Sequence, residues 1–172
     1  MTISMYKASV PIFLQFLTSL SGVLDKAAAH AEAKKIDPAV LLNTRLFPDM
    51  FPLVRQVRAA TDHAVNACGR LAGAELPTFG NNEATIPELK QRIDKAIAFL
   101  KGLKAADIDG TEAKEIKITF PSGATREFVG QSFLLNHCLP NFYFHATTAY
   151  DILRQSGVEI GKRDFMGTPV NL

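Results

Sequence analysis

Leu139-Pro-Asn-Phe-Tyr-Phe-His-Ala-Thr-Thr-Ala-Tyr-Asp-Ile-Leu-Arg-Gln-Ser-Gly157 reads as one helix with both ends written into it. Pro140 suits a first turn, where a missing N–H leaves nothing unsatisfied, and Gly157 suits the left-handed position after a last turn. Between them Asn141, His145 and Thr148 recur at i, i+4, i+7, so they share one face. A histidine directed inward beside an amide and a hydroxyl is either a hydrogen-bonded core network or the remnant of a site.

Upstream of this helix the hydrophobic period changes. Residues 130–138 predict a short helical lead that Pro140 breaks. Before it, Ile116, Ile118 and Phe120 alternate with lysine and threonine, Pro121-Ser122-Gly123 turns the chain, and Ala124 to Phe128 returns, which predicts a β-hairpin. Thr85-Ile-Pro-Glu88 is a capping box opening a third helix, whose stripe is Ile86, Leu89, Ile93, Ile97 and Leu100. A second helix spans about residues 52–72 with Val54, Val57, Thr61, Val65 and Cys68 on one stripe; Gly69 and Ala72 permit close approach of a neighbour. The first covers about residues 5–34, with Pro11 marking a kink or the true start, and Asp37-Pro38 opens a short helix after it. Phe47 to Pro52 is a rigid, proline-pinned connector. Four long helices with one hairpin inserted before the last predict a mainly α four-helix bundle, one domain over residues 1–172.

Composition narrows the function classes. A hydrophobic share of 47% with 21% charged residues is ordinary for a soluble globular chain, and a net charge of +2 without a basic cluster is no nucleic-acid footprint. The apolar run from Lys7 to Leu24 is interrupted by Gln15, Thr18, Ser19 and Ser21, which suits an amphipathic core helix rather than a signal peptide or membrane span. Cys68 and Cys138 lack a metal or redox spacing and read as buried thiols in a reducing cytosol, so a cytoplasmic location is expected.

Several residues invite chemistry. His63, on the second helix, and His145, on the fourth, could face each other in a bundle and share a metal ion. A catalytic zinc site wants three protein ligands, and the residue one turn before His145 is Asn141, whose amide oxygen suits zinc or nickel poorly. The bland arrangement has Asn141 and His145 bonded to each other and to the hairpin, with His63 partly exposed and beyond the reach of a shared ion; it is the expectation here. His137 has no clear direction beside the Pro140 break, and His30 reads as a solvent-facing residue near a helix end. Gly157 to Lys162 fails as a phosphate loop, because its spacing is wrong and Arg163 stands where Ser or Thr is needed. Lys162, Arg163 and Asp164 are expected to dock the tail by ion pairs, with Phe165 and Met166 as apolar anchors and fraying after Gly167. Tyr143 and Tyr150 suggest an interface, while Phe144 reads as core.

The run from His145 to Gly157 resembles the last helix of the DinB/YfiT-like superfamily. With Pro48-Asp-Met-Phe-Pro52 and Gly157-Val-Glu-Ile-Gly-Lys162, nearly the whole chain resembles one uncharacterised bacterial branch of it. The resemblance implies a four-helix bundle, often a homodimer. Metal-bearing members use one histidine of the second helix and an H-x-x-x-H pair of the fourth; His63 and His145 match, and Asn141 stands where the middle histidine would be. Known activities among relatives include thiol-dependent S-transfer and isomerisation, besides hydrolysis. The expectation is a ligand-binding or non-catalytic homodimer with a degenerate metal site at His63, Asn141 and His145, no cofactor, a small-molecule ligand, and neither nucleic-acid nor membrane partners. The alternative is a metal-assisted (zinc or nickel) hydrolase or a thiol-dependent S-transferase or isomerase using the His63/His145 region.

Overall fold

The computed structural model describes residues 3–119 and 122–169. In chain order the elements are α1 (Val10–Lys34), α2 (Pro38–Asn43), α3 (Leu53–Ala72), α4 (Ile86–Gly102), α5 (Ala105–Ile108), β1 (Glu115–Thr119), β2 (Thr125–Val129), α6 (Gly130–Ser132), a π-helical turn (Phe133–Cys138), α7 (Leu139–Gln155) and α8 (Lys162–Met166). The long helices α1, α3, α4 and α7 form the bundle: α3 packs chiefly on α7, and α4 lies against both α1 and α3. No helix among the described residues is long and apolar enough to cross a membrane.

The helix ends follow from local chemistry. Pro11 lies in the first turn of α1, so it marks a start and not a kink. Asp37 Oδ1 accepts the Ala39 N–H at 2.9 Å ahead of Pro38. At α4 the box closes both ways, with Glu88 N–H donating to Thr85 Oγ1 at 3.3 Å and Thr85 N–H to Glu88 Oε2 at 2.9 Å. Gly157 adopts φ 88° after α7, a conformation that costs glycine no steric penalty. Phe13, Leu17 and Leu24 of α1 meet Val57 and Leu71 of α3, Leu89, Ile93 and Leu100 of α4, and Phe142 and Ile152 of α7 in one fully or almost fully buried core. Each such side chain contributes roughly 1.5–3 kcal/mol by leaving water. Phe13 and Phe142 meet edge to face at 4.9 Å between ring centroids. Gly69 is the close-approach position: a Cβ there would lie 2.3 Å from Leu76 and 3.0 Å from Phe99.

The hairpin is antiparallel, with Ile116 opposite Phe128 and Ile118 opposite Arg126; Phe120 and Pro121 of the expected turn lie outside the described residues. Ile116 is buried, and Ile118 and Phe128 pack on the core's edge.

Pro140 does not break the chain direction as the sequence suggested. The helical run continues through it because the preceding turn is π-helical. A prolyl ring collides with the carbonyl four residues back in a regular α-helix, and the wider turn relieves that contact. The tail docks with fewer charges than expected. Asp164 pairs with Lys26 at 2.6 Å, and Phe165 packs against Phe16 and Tyr150 at 5.3 and 5.6 Å, whereas Lys162 and Arg163 form no ion pair among the described residues. Of the segment after Gly167 expected to fray, residues 170–172 lie outside the described ones. On α7, Phe144 is 56% exposed rather than part of the core, while Tyr143 and Tyr150 are partly buried and pack against the core's edge. His30 is half-buried and sits against Gly157 rather than facing solvent.

Candidate functional site

Where α3 crosses α7, three histidines come together. The His63 ring lies 5.6 Å from that of His145, in nearly parallel planes, and 5.8 Å edge-on from that of His137. The π-turn brings His137 in by re-phasing the residues before Pro140 relative to α7. Phenylalanines line the cluster. Phe51 lies nearly parallel to His145 at 6.2 Å and Phe144 meets it edge-on at 5.3 Å, while Phe128 and Phe133 flank His137 at 5.0 and 5.8 Å. The Arg55 guanidinium sits 3.7 Å above the Phe51 ring.

A buried glutamine decides the protonation of His145. Gln56 Nε2 donates to the Phe51 carbonyl at 3.0 Å, and that oxygen can only accept. The amide is thereby oriented with Oε1 toward His145, 2.7 Å from Nδ1. Since Oε1 can only accept, Nδ1 carries the proton, and in the neutral ring Nε2 holds the lone pair. Neutrality follows from the surroundings. Burial, then the His145 and His137 rings, lower the His63 pKa to about 4, and burial also lowers those of His145 and His137, the latter aided by Arg126. At neutral pH the cluster is uncharged.

The expected bonding differs from the observed. Asn141 does not reach His145: its Nδ2 donates to the His137 carbonyl, one turn back, at 2.7 Å. Thr148 Oγ1 likewise donates to the Phe144 carbonyl at 2.7 Å. Of the three residues on that stripe, only His145 crosses to α3. His63 and His145 are neighbours, contrary to the expectation that they point apart, because Gln56 and His63 lie seven residues apart on one face of α3. That spacing was the available signal for Gln56, a polar residue among Val57, Ala60 and Ala64; nothing in the sequence announced the π-turn that recruits His137.

The donor set does not fit the three-ligand metal arrangement. The amide at Asn141 is committed to its own helix and offers a poor oxygen, and among the described residues no three His, Cys, Asp or Glu side chains are grouped to hold an ion. Cys68 and Cys138 supply nothing: both are buried, and burial pushes the Cys138 thiol up to about 12 and that of Cys68 higher.

A second polar cluster begins one residue earlier on α3. Arg92 of α4 is buried, with its Nε donating to Thr61 Oγ1 at 2.6 Å and Nη1 to Glu83 Oε1 at 2.8 Å and to Asn81 Oδ1 at 3.0 Å. Its Nη2 pairs with Asp62, Phe79 lies 4.1 Å beneath the guanidinium, and Arg58 Nε meets Glu83 Oε2 at 2.7 Å. These bonds fasten the loop before α4 to the bundle.

Residues 5–166 match the family model described as Domain of unknown function (DUF1993). The chain is similar to the crystal structure of a DinB family member protein from Shewanella denitrificans, at 42% identity and a TM-score of 0.86, over 97% of this chain and 94% of that one. No functionally curated protein matches the sequence.

Proposed function

The chain belongs to the DUF1993 family and is a DinB-like helical bundle, and from that premise we propose that it is a non-catalytic ligand-binding protein with a degenerate metal site. Its ligand is a small, largely apolar molecule carrying one O–H or N–H donor. The observation that carries this reading is the Phe51–Gln56–His145 relay, which sets an uncharged imidazole acceptor at Nε2 beside exposed aromatic rings, Phe51 and Phe144. Aromatic walls with a few oriented polar atoms are the usual makings of a small-molecule site. Exposed Phe47, Phe51 and Phe144 support a homodimer, and the buried free thiols suit a reducing cytosol.

Phenol supplies one ring and one O–H donor and serves as the probe. The expected result is a saturable shift of the His145 and His63 ring nitrogens in NMR, lost in His145→Ala; unchanged ring signals at high phenol would remove the reading. Sedimentation tests the dimer, which a monomer of 18.8 kDa at micromolar concentration would exclude.

A second reading, a metal-assisted hydrolase or a thiol-dependent S-transferase or isomerase, draws on the His63–His145 proximity. Those two residues would hold zinc or nickel, which would supply Lewis acidity there. Stoichiometric metal in untagged, chelator-free protein, absent from His145→Ala, would establish it over the first reading.

A further inference from the structure

On the far side of the bundle, α1 and α8 enclose an open groove of about 550 Å³. Its wall at Gly22 is bare, with nothing within 4 Å of the position a Cβ would take. Deeper in, Ser19 is only 9% exposed, and its hydroxyl has no hydrogen-bond partner among the described residues. The neighbouring hydroxyl on α1 behaves differently: Thr18 Oγ1 donates to the Leu14 carbonyl at 2.7 Å. Ser19 forgoes the equivalent bond and faces Gly167, where a Cβ would lie 2.1 Å from its oxygen. A buried hydroxyl left unpaired is uncommon in a native interior and calls for a partner.

Charge at the groove points to what that partner is. Lys26 spends one of its three donors on Asp164, and Gln15 Nε2 holds the Met166 carbonyl at 2.8 Å, so the segment that carries Arg163 is pinned at two points. Arg163 is exposed on the groove's rim, and its side chain makes no hydrogen bond or ion pair among the described residues. Once Lys26 and Asp164 are paired, one positive charge remains, on a planar fork that matches an oxyanion with two parallel N–H bonds. Leu14 and Val23 add apolar surface for the body of a small molecule.

We propose that this groove is a second binding site, separate from the histidine cluster, for the carboxylate or phosphate of a small molecule. Arg163 is the bidentate cation, Lys26 offers a further N–H donor while it stays paired with Asp164, and the Ser19 hydroxyl is the inner donor when Gly167 shifts.

The test uses the full chain at low ionic strength, titrated separately with sodium benzoate and inorganic phosphate while backbone amides are followed by NMR. A saturable response confined to residues 14–26 and 161–168 is expected with at least one probe. Benzoate alone would assign a carboxylate on an apolar body, and phosphate alone a phosphate ester. Arg163→Gln, which removes the charge and the bidentate fork, should weaken binding about tenfold or more. Ser19→Ala, which removes an unpaired group and keeps the fold, should weaken it several-fold. No response to either probe, a response that does not saturate, one centred on His63 and His145, or full affinity in Arg163→Gln would overturn the proposal.

Discussion

Asp62 and His63 are consecutive on α3, and they begin two polar clusters built in opposite ways. Asp62 points to Arg92, in a group of ions that satisfy one another and tie a loop to the bundle. His63 points to His145 and His137, in a group kept uncharged by burial, with aromatic rings around it. Neighbouring residues on a helix face about 100° apart, so one step along the chain changes which helix is addressed. A saturated ionic cluster has little capacity left for a ligand. A neutral one with an oriented acceptor retains it. Perturbed titration at a partly exposed cluster is a pointer to function, whereas a closed ion network is a pointer to architecture.

If that contrast is right, Arg92→Met should be the most damaging single change. It leaves the mostly buried Glu83 and the half-exposed Asp62 without their main counter-charge, at a cost of at most about 3–5 kcal/mol. Arg58 still faces Glu83, which places the expected value toward the lower end. Urea unfolding measures it, and the histidine ring signals should stay where they are. A loss under about 1 kcal/mol would mean that the cluster does not hold the loop before α4 to the bundle.

Acid should act on the other cluster. The His63 pKa is depressed to about 4 from 6.5, so between those values the unfolded chain binds a proton that the native state refuses. Stability is therefore level above pH 6.5, falls as the pH drops toward 4, and levels again below it, losing about 3 kcal/mol to this residue. Glu83 adds to acid loss in the same direction. Burial raises its pKa, but the hydrogen bond and charge of Arg92 outweigh burial and hold it below the usual range. The difference between wild type and His63→Gln across that window isolates the histidine; parallel curves would contradict the assignment.

Gln56→Leu comes next, at about 1–3 kcal/mol for a buried imidazole N–H and a backbone carbonyl left without partners. Its distinguishing readout is the tautomer. Wild-type His145 should show Nδ1 protonated, and the variant a mixture. An unchanged pattern would show that something other than Gln56 sets it.

The sequence made the bundle legible because helix stripes, the Thr85 capping box and the hairpin alternation are local signals, and the long helices formed where those signals lie. It made the site only half legible. His145 reads as inward-facing and His63 only as a partly exposed candidate, because their approach depends on how α3 and α7 cross, which spacing along one helix does not encode. His137 has no legible direction in the sequence because Pro140 reads locally as a break, while the folded chain accommodates that proline in a π-turn. Gln56 carries no decisive signal in the sequence, because an amide in an apolar stripe resembles any satisfied core polar group until its two partners are known.

Asn141 gives the smallest effect and the finest discrimination. The structure assigns its amide nitrogen to the His137 carbonyl, a helix-stabilising role in which the oxygen is incidental. Asn141→Ala should then cost about 1 kcal/mol, the net worth of one ordinary hydrogen bond. It should leave phenol binding at His145 unaltered, because among the described residues no hydrogen bond joins Asn141 to Gln56 or to the imidazole ring that Gln56 locks. Were Asn141 instead the third donor of a working metal centre, the same substitution would lower zinc or nickel affinity at least tenfold with little change in apo-protein stability. Urea unfolding and metal titration of the one variant separate the two roles, since a helix bond moves the first measurement and a metal ligand moves the second.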